Sequence, residues 1–443
     1  MDPRFLVYAE QQAPRYTSYP TAPHFRSSIG PSQFIEWLQT LSADATLSLY
    51  LHVPYCKQLC WYCGCNTYAA RRKEPVASFV DTLLAEIRLV AATTDARRVR
   101  EIHWGGGTPN ILEPQQFRQI SSEIARTFDL TAIVHHAIEL DPRYVNAENS
   151  DAYVAANVSR VSLGVQDLNE NVQRAIGRVQ PFEVVRGAVE MLRAAGINDI
   201  NIDLMYGLPH QSLADVRHTI ELVSTLRPSR VAFFGYAHVP WFKKRQRLIP
   251  DAALPGAIER FDQAEAAREE LERLGYVAIG LDHFALPDDE LAIAQREGRL
   301  GRSFQGYAVQ EADAIIGMGP SAISTLPDGY AQNAAEPGEW ARAIAEGRFA
   351  TTRGHELTDE DRVRGRMIAQ IMCDFEVDLA PLGGPREFDH ELARLRQMLD
   401  DDLLTLDRGA LRLTPAARPF CRLVAAAFDT YAEASTARHS RAV

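Results

Sequence analysis

The chain has no uninterrupted apolar run long enough to cross a bilayer, and its opening residues, MDPRFLVYAEQQAPRY, have no basic segment followed by an apolar one. These absences argue against a membrane span and an export signal, so a cytoplasmic protein is expected. Excess positive charge is also missing: 47 Lys+Arg face 58 Asp+Glu, a net charge of −11 at pH 7. A general nucleic-acid or membrane-surface partner is therefore not expected, and an anionic substrate would need a local basic pocket. Cysteine is scarce, and its distribution is informative. Four of the six cysteines lie between Cys56 and Cys65, while Cys373 and Cys421 stand alone downstream. Such crowding is unlike a disulfide framework and, in a cytosolic chain, reads as a metal site. There is no internal repeat or low-complexity tract. What remains is the composition of a soluble globular protein, with length for about two or three domains.

Residues 1–45 mix proline and aromatic residues in PRYTSYPTAPHF without a helical or strand period, which suggests an extended arm over the main body. From Leu47, short β-rich runs alternate with amphipathic segments. Candidate strands cover 47–53, 100–104, 136–140, 160–165, 199–205, 230–236 and 276–282. Between them Phe79, Leu83 and Ile87 share one helical face, as do Phe117, Ile120, Ile124 and Phe128, and Val185, Val189 and Leu192 before a stop at Gly196. Repeated strand–helix units predict an α/β fold with a parallel sheet, curled into a full or partial barrel or left open; in each case ligands sit beyond the strands' C-terminal ends.

After about residue 345 the pattern changes. Thr358 and Asp361 form a capping-box spacing before Met367, Ile368, Ile371 and Met372; LLTLDRGALRL predicts a hairpin turned at Asp407–Gly409, and Thr414-Pro415 starts a last helix. This predicts a mostly helical, winged-helix-like cap whose Ala-rich tail, from about Ala425, frays. The expected division is an arm over 1–45, a catalytic domain over 46–345 and a cap over 346–443. The cap lacks a dense basic face, so nucleic-acid binding is not expected of it.

Cys56, Cys60 and Cys63 form C-x3-C-x2-C directly after the first strand. Three thiolates on one short loop can hold three corners of a cubic iron–sulfur cluster and leave the fourth iron open. Zinc is the rival ligand, but its motifs come as separated pairs and no second Cys/His pair follows at suitable spacing. A cluster that only transfers electrons would take a fourth cysteine. Cys65 follows Cys63 too closely to bridge the same cube with ease, so it ranks as a nearby free thiol.

The cysteine array, with Tyr62 before its last member, resembles the signature of the radical S-adenosylmethionine (SAM) superfamily. The fuller strings YLHVPYCKQLCWYCGCN, HWGGGTPN, IELDPR, SLGVQD, NIDLMYGLP and GMGPSAIS, with RYTSYPTAPHF in the arm, resemble the oxygen-independent coproporphyrinogen III oxidase family over essentially the whole chain. Haem-chaperone relatives share the cysteines and GGGTP but generally lack the arm and the fourth cysteine; here the arm, Cys65 and Phe304-Gln305-Gly306-Tyr307 favour the oxidase. Met205, where the family often has a branched aliphatic residue, is a conservative departure.

The resemblance implies a [4Fe–4S] cluster on Cys56, Cys60 and Cys63, two SAM molecules, and coproporphyrinogen III as substrate. Two propionates would become vinyl groups, giving protoporphyrinogen IX, with an unidentified electron donor and acceptor. It places Tyr50, Tyr62, Gly106, Gly107, Thr108, Glu139, Gln166, Arg178, Asp203, Ala237, Phe304, Gln305 and Ile323 around the SAM sites, and Cys65 in turnover. The chemistry supports several of these. The glycines of His103-Trp104-Gly105-Gly106-Gly107-Thr108-Pro109 let backbone approach a ligand. Glu139 can accept from ribose hydroxyls, Arg178 can clamp a carboxylate, and Asp203 on an apolar strand needs a partner. Tyr50 and His52 share one strand face, where packing is the alternative role. Lys243, Lys244 and Arg245 are candidates for the substrate's carboxylates, with a solvated basic turn as the alternative. A monomer is expected.

Overall fold

The computed structural model describes residues 5–309, 312–433 and 440–442. Six strands run parallel in chain order: β1 (Thr46–Val53), β2 (Arg98–Gly106), β3 (His135–Leu140), β4 (Arg160–Gln166), β5 (Asp199–Tyr206) and β6 (Arg230–Gly235). Helices Glu74–Thr93, Pro114–Thr127, Ala147–Ala155, Phe182–Ala195 and Leu213–Thr225 form the crossovers. Side chains on β3, β4 and β5 alternate between full and partial burial. One set, including Ile138, Leu163 and Ile202, packs with helix residues such as Phe117, Ile120, Val185 and Leu192. The other set, Glu139, Ser162 and Asp203, faces a polar lumen. Parallel strands buried on both faces usually read as unbroken apolar runs; a polar lumen restores the period of two.

The sheet has twelve strands and stays open, a partial barrel. Beyond β6, the single strand expected over 276–282 is instead two short antiparallel strands, β7 (Val277–Ile279) and β8 (His283–Ala285), and β8 pairs with β6. Gly280, at φ +52°, breaks the run, and a Cβ there would overlap the Tyr307 ring. At the other edge β9 (Ala314–Met318) lies parallel to β1, followed by antiparallel β10 (Ile323–Leu326), β11 (Gly329–Asn333) and β12 (Thr351–Glu356). The order is β12-β11-β10-β9-β1-β2-β3-β4-β5-β6-β8-β7.

In the C-terminal part, Thr358 and Asp361 form the expected capping box on helix Asp359–Asp374. The hairpin pairs Leu404–Asp407 with Ala410–Leu413, and Glu376–Asp378 adds a third strand. Pro415 opens a 3-10 turn that leads into helix Cys421–Ala427.

Two expectations need correction. The arm is not wholly extended. Pro31–Thr40 is a helix started by Gly30-Pro31, and Phe34, Trp37 and Leu38 join the barrel core, while Tyr8, Tyr16 and Tyr19 join the C-terminal core. The chain from Ala425 does not fray as a whole: Ala425, Ala427 and Phe428 are buried, and Ala442 N donates to Gln11 O at 2.7 Å. Residues 434–439 of that tail lie outside the described residues. No helix among the described residues is long and apolar enough to cross a membrane.

One buried carboxyl braces the strand ends. Glu86, 1% exposed, accepts from Gly319 N (2.7 Å), Asn333 Nδ2 (2.7 Å) and Trp340 Nε1 (3.0 Å). It thereby holds the Gly319 turn, at φ +98°, against the His52 carbonyl of β1. Burial pushes the Glu86 carboxyl from 4.5 up to about 7, so the folded state favours its protonated form. Between pH 4.5 and 8 the stability difference between wild type and Glu86→Gln should therefore move in the variant's favour by about 3 kcal/mol, read from urea midpoints across that range.

Candidate active site

The cysteine loop leaves β1 at Pro54 and is closed by a short parallel ladder between Tyr55–Cys56 and Tyr68–Ala69. Its far side is held by Trp61 N donating to Ile176 O at 2.9 Å and by Gln246 Nε2 donating to Tyr62 O at 2.7 Å. Cys56, Cys60, Cys63 and Cys65 all line one cavity of about 540 Å³ beyond the C-terminal ends of the strands. Tyr62, Gly106, Gly107, Thr108, Glu139, Gln166, Arg178, Asp203 and Ala237 line it as well.

The strand ends explain how these residues converge. Gly107 N donates to Val53 O at 2.7 Å and Thr108 N to Tyr55 O at 3.0 Å, so the glycine run lies on the base of the cysteine loop. A Cβ on Gly107 would stand 2.7 Å from Tyr55 O, and one on Gly106, at φ +105°, would stand 2.6 Å from the His52 ring. The glycines are thus needed by protein packing in addition to any approach to a ligand. At the end of β4 the ladder slips between Gly164 and Gln166, and Gln166 takes φ 71°, a conformation costly for a side-chain-bearing residue and common at functional sites.

Electrostatics differ from thiol to thiol around the cavity. The Cys65 thiol hydrogen-bonds Cys63 and lowers its pKa to about 6, while Cys65 itself is pushed well up by the same bond. Burial raises Cys56 to about 11, against the pull of Thr108 Oγ1 at 3.3 Å from its sulfur. Arg178 Nη1 lies 3.5 Å from Cys60 Sγ and 3.1 Å from Asp141 Oδ2, and Arg178 Nη2 bonds Gly164 O; its buried Nε has no hydrogen-bond partner. No group of three or more His, Cys, Asp or Glu among the described residues is placed to hold a single metal ion. Cys56, Cys60 and Cys63 line one wall of a single cavity, as three ligands of one multinuclear cluster would have to.

Deeper in the lumen, burial raises Glu139, but the His103 hydrogen bond (3.0 Å) and charge outweigh it and hold the carboxyl below its usual range. Asp203 goes the other way: burial pushes it up to about 6, although Ser162 Oγ (2.8 Å) and Asn201 Nδ2 (2.7 Å) donate to it. Tyr50 stacks on His103 and shares a hydrogen bond with His52 Nδ1 at 3.0 Å.

Four of the sequence-derived residues stand off the cysteine cavity: Tyr50, Phe304, Gln305 and Ile323 are not part of its wall. Phe304 packs edge-on against Phe25 and Tyr330, Gln305 lines two neighbouring cavities, and Ile323 begins β10. Conversely, Asp141, Arg143 and Gln246 escaped the sequence reading. Asp141 lies two residues after Glu139 inside IELDPR and takes both Arg143 and Arg178; Gln246 has no sequence signal.

Residues 50–223 match the family model described as the Radical SAM superfamily, and residues 357–420 match the HemN C-terminal domain. With three thiols at the mouth of a partial barrel, the chain is a radical SAM enzyme that uses a [4Fe–4S] cluster and SAM. Within that class it belongs to the oxygen-independent coproporphyrinogen III oxidase family. It is 45% identical to that oxidase of Bradyrhizobium diazoefficiens over 99% of each chain, and 38% identical to that of Escherichia coli over 94% of this chain and 93% of the relative. The solved Escherichia coli coproporphyrinogen III oxidase (HemN) superposes with a TM-score of 0.89 at 36% identity, covering 95% of this chain and all of the other.

Gly107→Ala should cost about 1–3 kcal/mol of stability, because its neighbours are backbone carbonyls that cannot rotate away. Iron bound after anaerobic reconstitution should fall with it, measured against protein concentration.

Proposed function

We propose that this chain converts two propionate side chains of coproporphyrinogen III to vinyl groups without oxygen, giving protoporphyrinogen IX and two carbon dioxide molecules. The observation that carries the proposal is end-to-end similarity to relatives of that name around a cavity that gathers the three motif thiols. Cys56, Cys60 and Cys63 would hold three irons of the cluster. When bound, the reduced cluster and SAM supply a 5′-deoxyadenosyl radical able to take a hydrogen atom from a propionate β-carbon.

The protein's own part is orientation and electrostatics. Ionised Glu139 and Asp203 accept from ligand hydroxyl and amino groups, and Arg178 bridges the Cys60 sulfur and Asp141. Tyr62, Gly106, Gly107, Thr108, Gln166 and Ala237 form the wall against which SAM lies. Gln305 Nε2 is buried without a hydrogen-bond partner, which supports its donating to a second ligand in the neighbouring cavities, one of which Phe304 also lines; Tyr50 and Ile323 are assigned to the SAM sites by the family resemblance alone. Cys65 serves turnover by setting the Cys63 thiolate. The same reading divides the chain into an arm over 1–45, a catalytic domain over 46–345 and a cap over 346–443, and places it in the cytoplasm, where thiols stay reduced.

Incubating the reconstituted, reduced protein with SAM and coproporphyrinogen III under argon should give vinyl product by chromatography; stoichiometric haem binding without decarboxylation would reject the proposal. Cys65→Ser should keep its iron with impaired turnover, whereas Cys56→Ser, Cys60→Ser and Cys63→Ser should lose the iron absorbance. SAM affinity should fall as the pH drops below about 6, where Asp203 takes up a proton. Asp203→Asn should bind roughly tenfold more weakly with a flat pH profile, by equilibrium dialysis.

A further inference from the structure

Beside the cysteine cavity lies a smaller one of about 30 Å³, lined by Arg15, Arg260, Arg302, Arg422 and Arg441. Arg15, Phe234 and Tyr236 belong to both walls, so the two cavities adjoin. Three of these arginines are deeply buried: Arg260 and Arg422 are 8% and 7% exposed, and the Arg302 side chain 6%. Part of the arrangement is structural. Arg422 donates to the carbonyls of Ala13, Pro14, Arg441 and Ala442, tying arm to tail, and Arg260 packs over the Tyr206 ring.

Carbonyls do not cancel the charge of Arg422. Among the described lining residues Asp282 is the single carboxylate; it pairs with His283 Nδ1 at 2.8 Å and lies 4.0 Å from Arg302 Nη1. Arg302 Nε and Nη1, both buried, have no hydrogen-bond partner. The crowding registers on its neighbours: burial, then the charge of Arg15, brings Arg422 down to about 10. In a chain of net charge −11, this concentration of guanidinium groups is a local inversion. Planar N–H forks in a dry, positive recess match a carboxylate by charge and by geometry.

We propose that this recess is a carboxylate subsite, holding one propionate of the tetracarboxylate substrate that is not being decarboxylated. The assignment rests on the function proposed above. An anchor role follows from the charge: guanidinium groups stabilise the anion, and so oppose the electron loss that decarboxylation requires. Of the lysine–arginine run suggested by sequence, Lys243 lines the cysteine cavity with Nζ 3.4 Å from Cys65 O, while Arg245 is turned to Thr67 O. The anchor thus comes from elements far apart in the chain.

The test uses coproporphyrin III, the air-stable aromatic form with the same four propionates, and its tetramethyl ester, each titrated into the cluster-loaded protein by absorbance. Wild type should bind the acid more tightly than the ester. Arg302→Gln and Arg15→Gln should weaken binding of the acid about tenfold and leave the ester's affinity within error, with Arg302→Lys recovering part of the loss. In turnover, KM should rise and kcat hold within about twofold. Equal loss for acid and ester, or no loss in either variant, would overturn the subsite, as would a fall in kcat at constant KM. If wild type turns over coproporphyrinogen and the variants match it, the subsite alone falls. If wild type neither binds the acid nor makes vinyl product, the functional reading falls with it.

Discussion

Two short backbone hydrogen bonds, Gly107 N to Val53 O and Thr108 N to Tyr55 O, seat the end of β2 on the root of the cysteine loop. Such contact is possible only because position 107 carries no Cβ. The loop's other supports, the Tyr55–Cys56 ladder and the grip of Gln246 on Tyr62, act on a base already set by that contact. Three thiols on an eight-residue stretch would otherwise sample many arrangements, and a cluster ligand set needs one. The Glu86 network does comparable work behind β1, pressing the Gly319 turn onto the His52 carbonyl.

Around that seat the molecule sorts its charge. The lumen carries ionisable groups in partnered sets: His103 with Glu139, Asn201 and Ser162 with Asp203, Arg160 and Arg230 with Glu290. Burial alone would neutralise such carboxyls, yet Glu139 is held ionised by its histidine while Asp203 is left near 6. Two acids on strands separated by β4 thus take up a proton at different pH because their partners differ. The arginine recess, where arm, barrel and C-terminal segment meet, is the opposite case: among its described lining residues five arginines stand beside one carboxylate.

The strands of the barrel were legible because their alternation survives a polar lumen, and the cysteine array because its spacing is local. The glycine run, Glu139, Gln166 and Asp203 were legible too, since each sits at or near a strand end and strand ends converge in any parallel α/β sheet. The antiparallel edge β9–β12 was not. Its strands are short, contain glycines and take their register from one another, with no periodic signal in the chain. The run at 276–282 misled because its apolar residues continue through the turn at Gly280.

By itself the sequence determined the parallel strand–helix core, the closely spaced cysteine trio and the family, because these depend on periodicity and on residues close together in the chain. Tertiary structure alone decided which charges meet. It turned Arg178 onto Asp141, set Phe304, Gln305 and Ile323 apart from the cysteine wall, and brought Arg15, Arg302 and Arg422 together across some four hundred residues. Contacts between distant segments depend on how helices and loops pack over the sheet, and no local pattern of residue types encodes that packing.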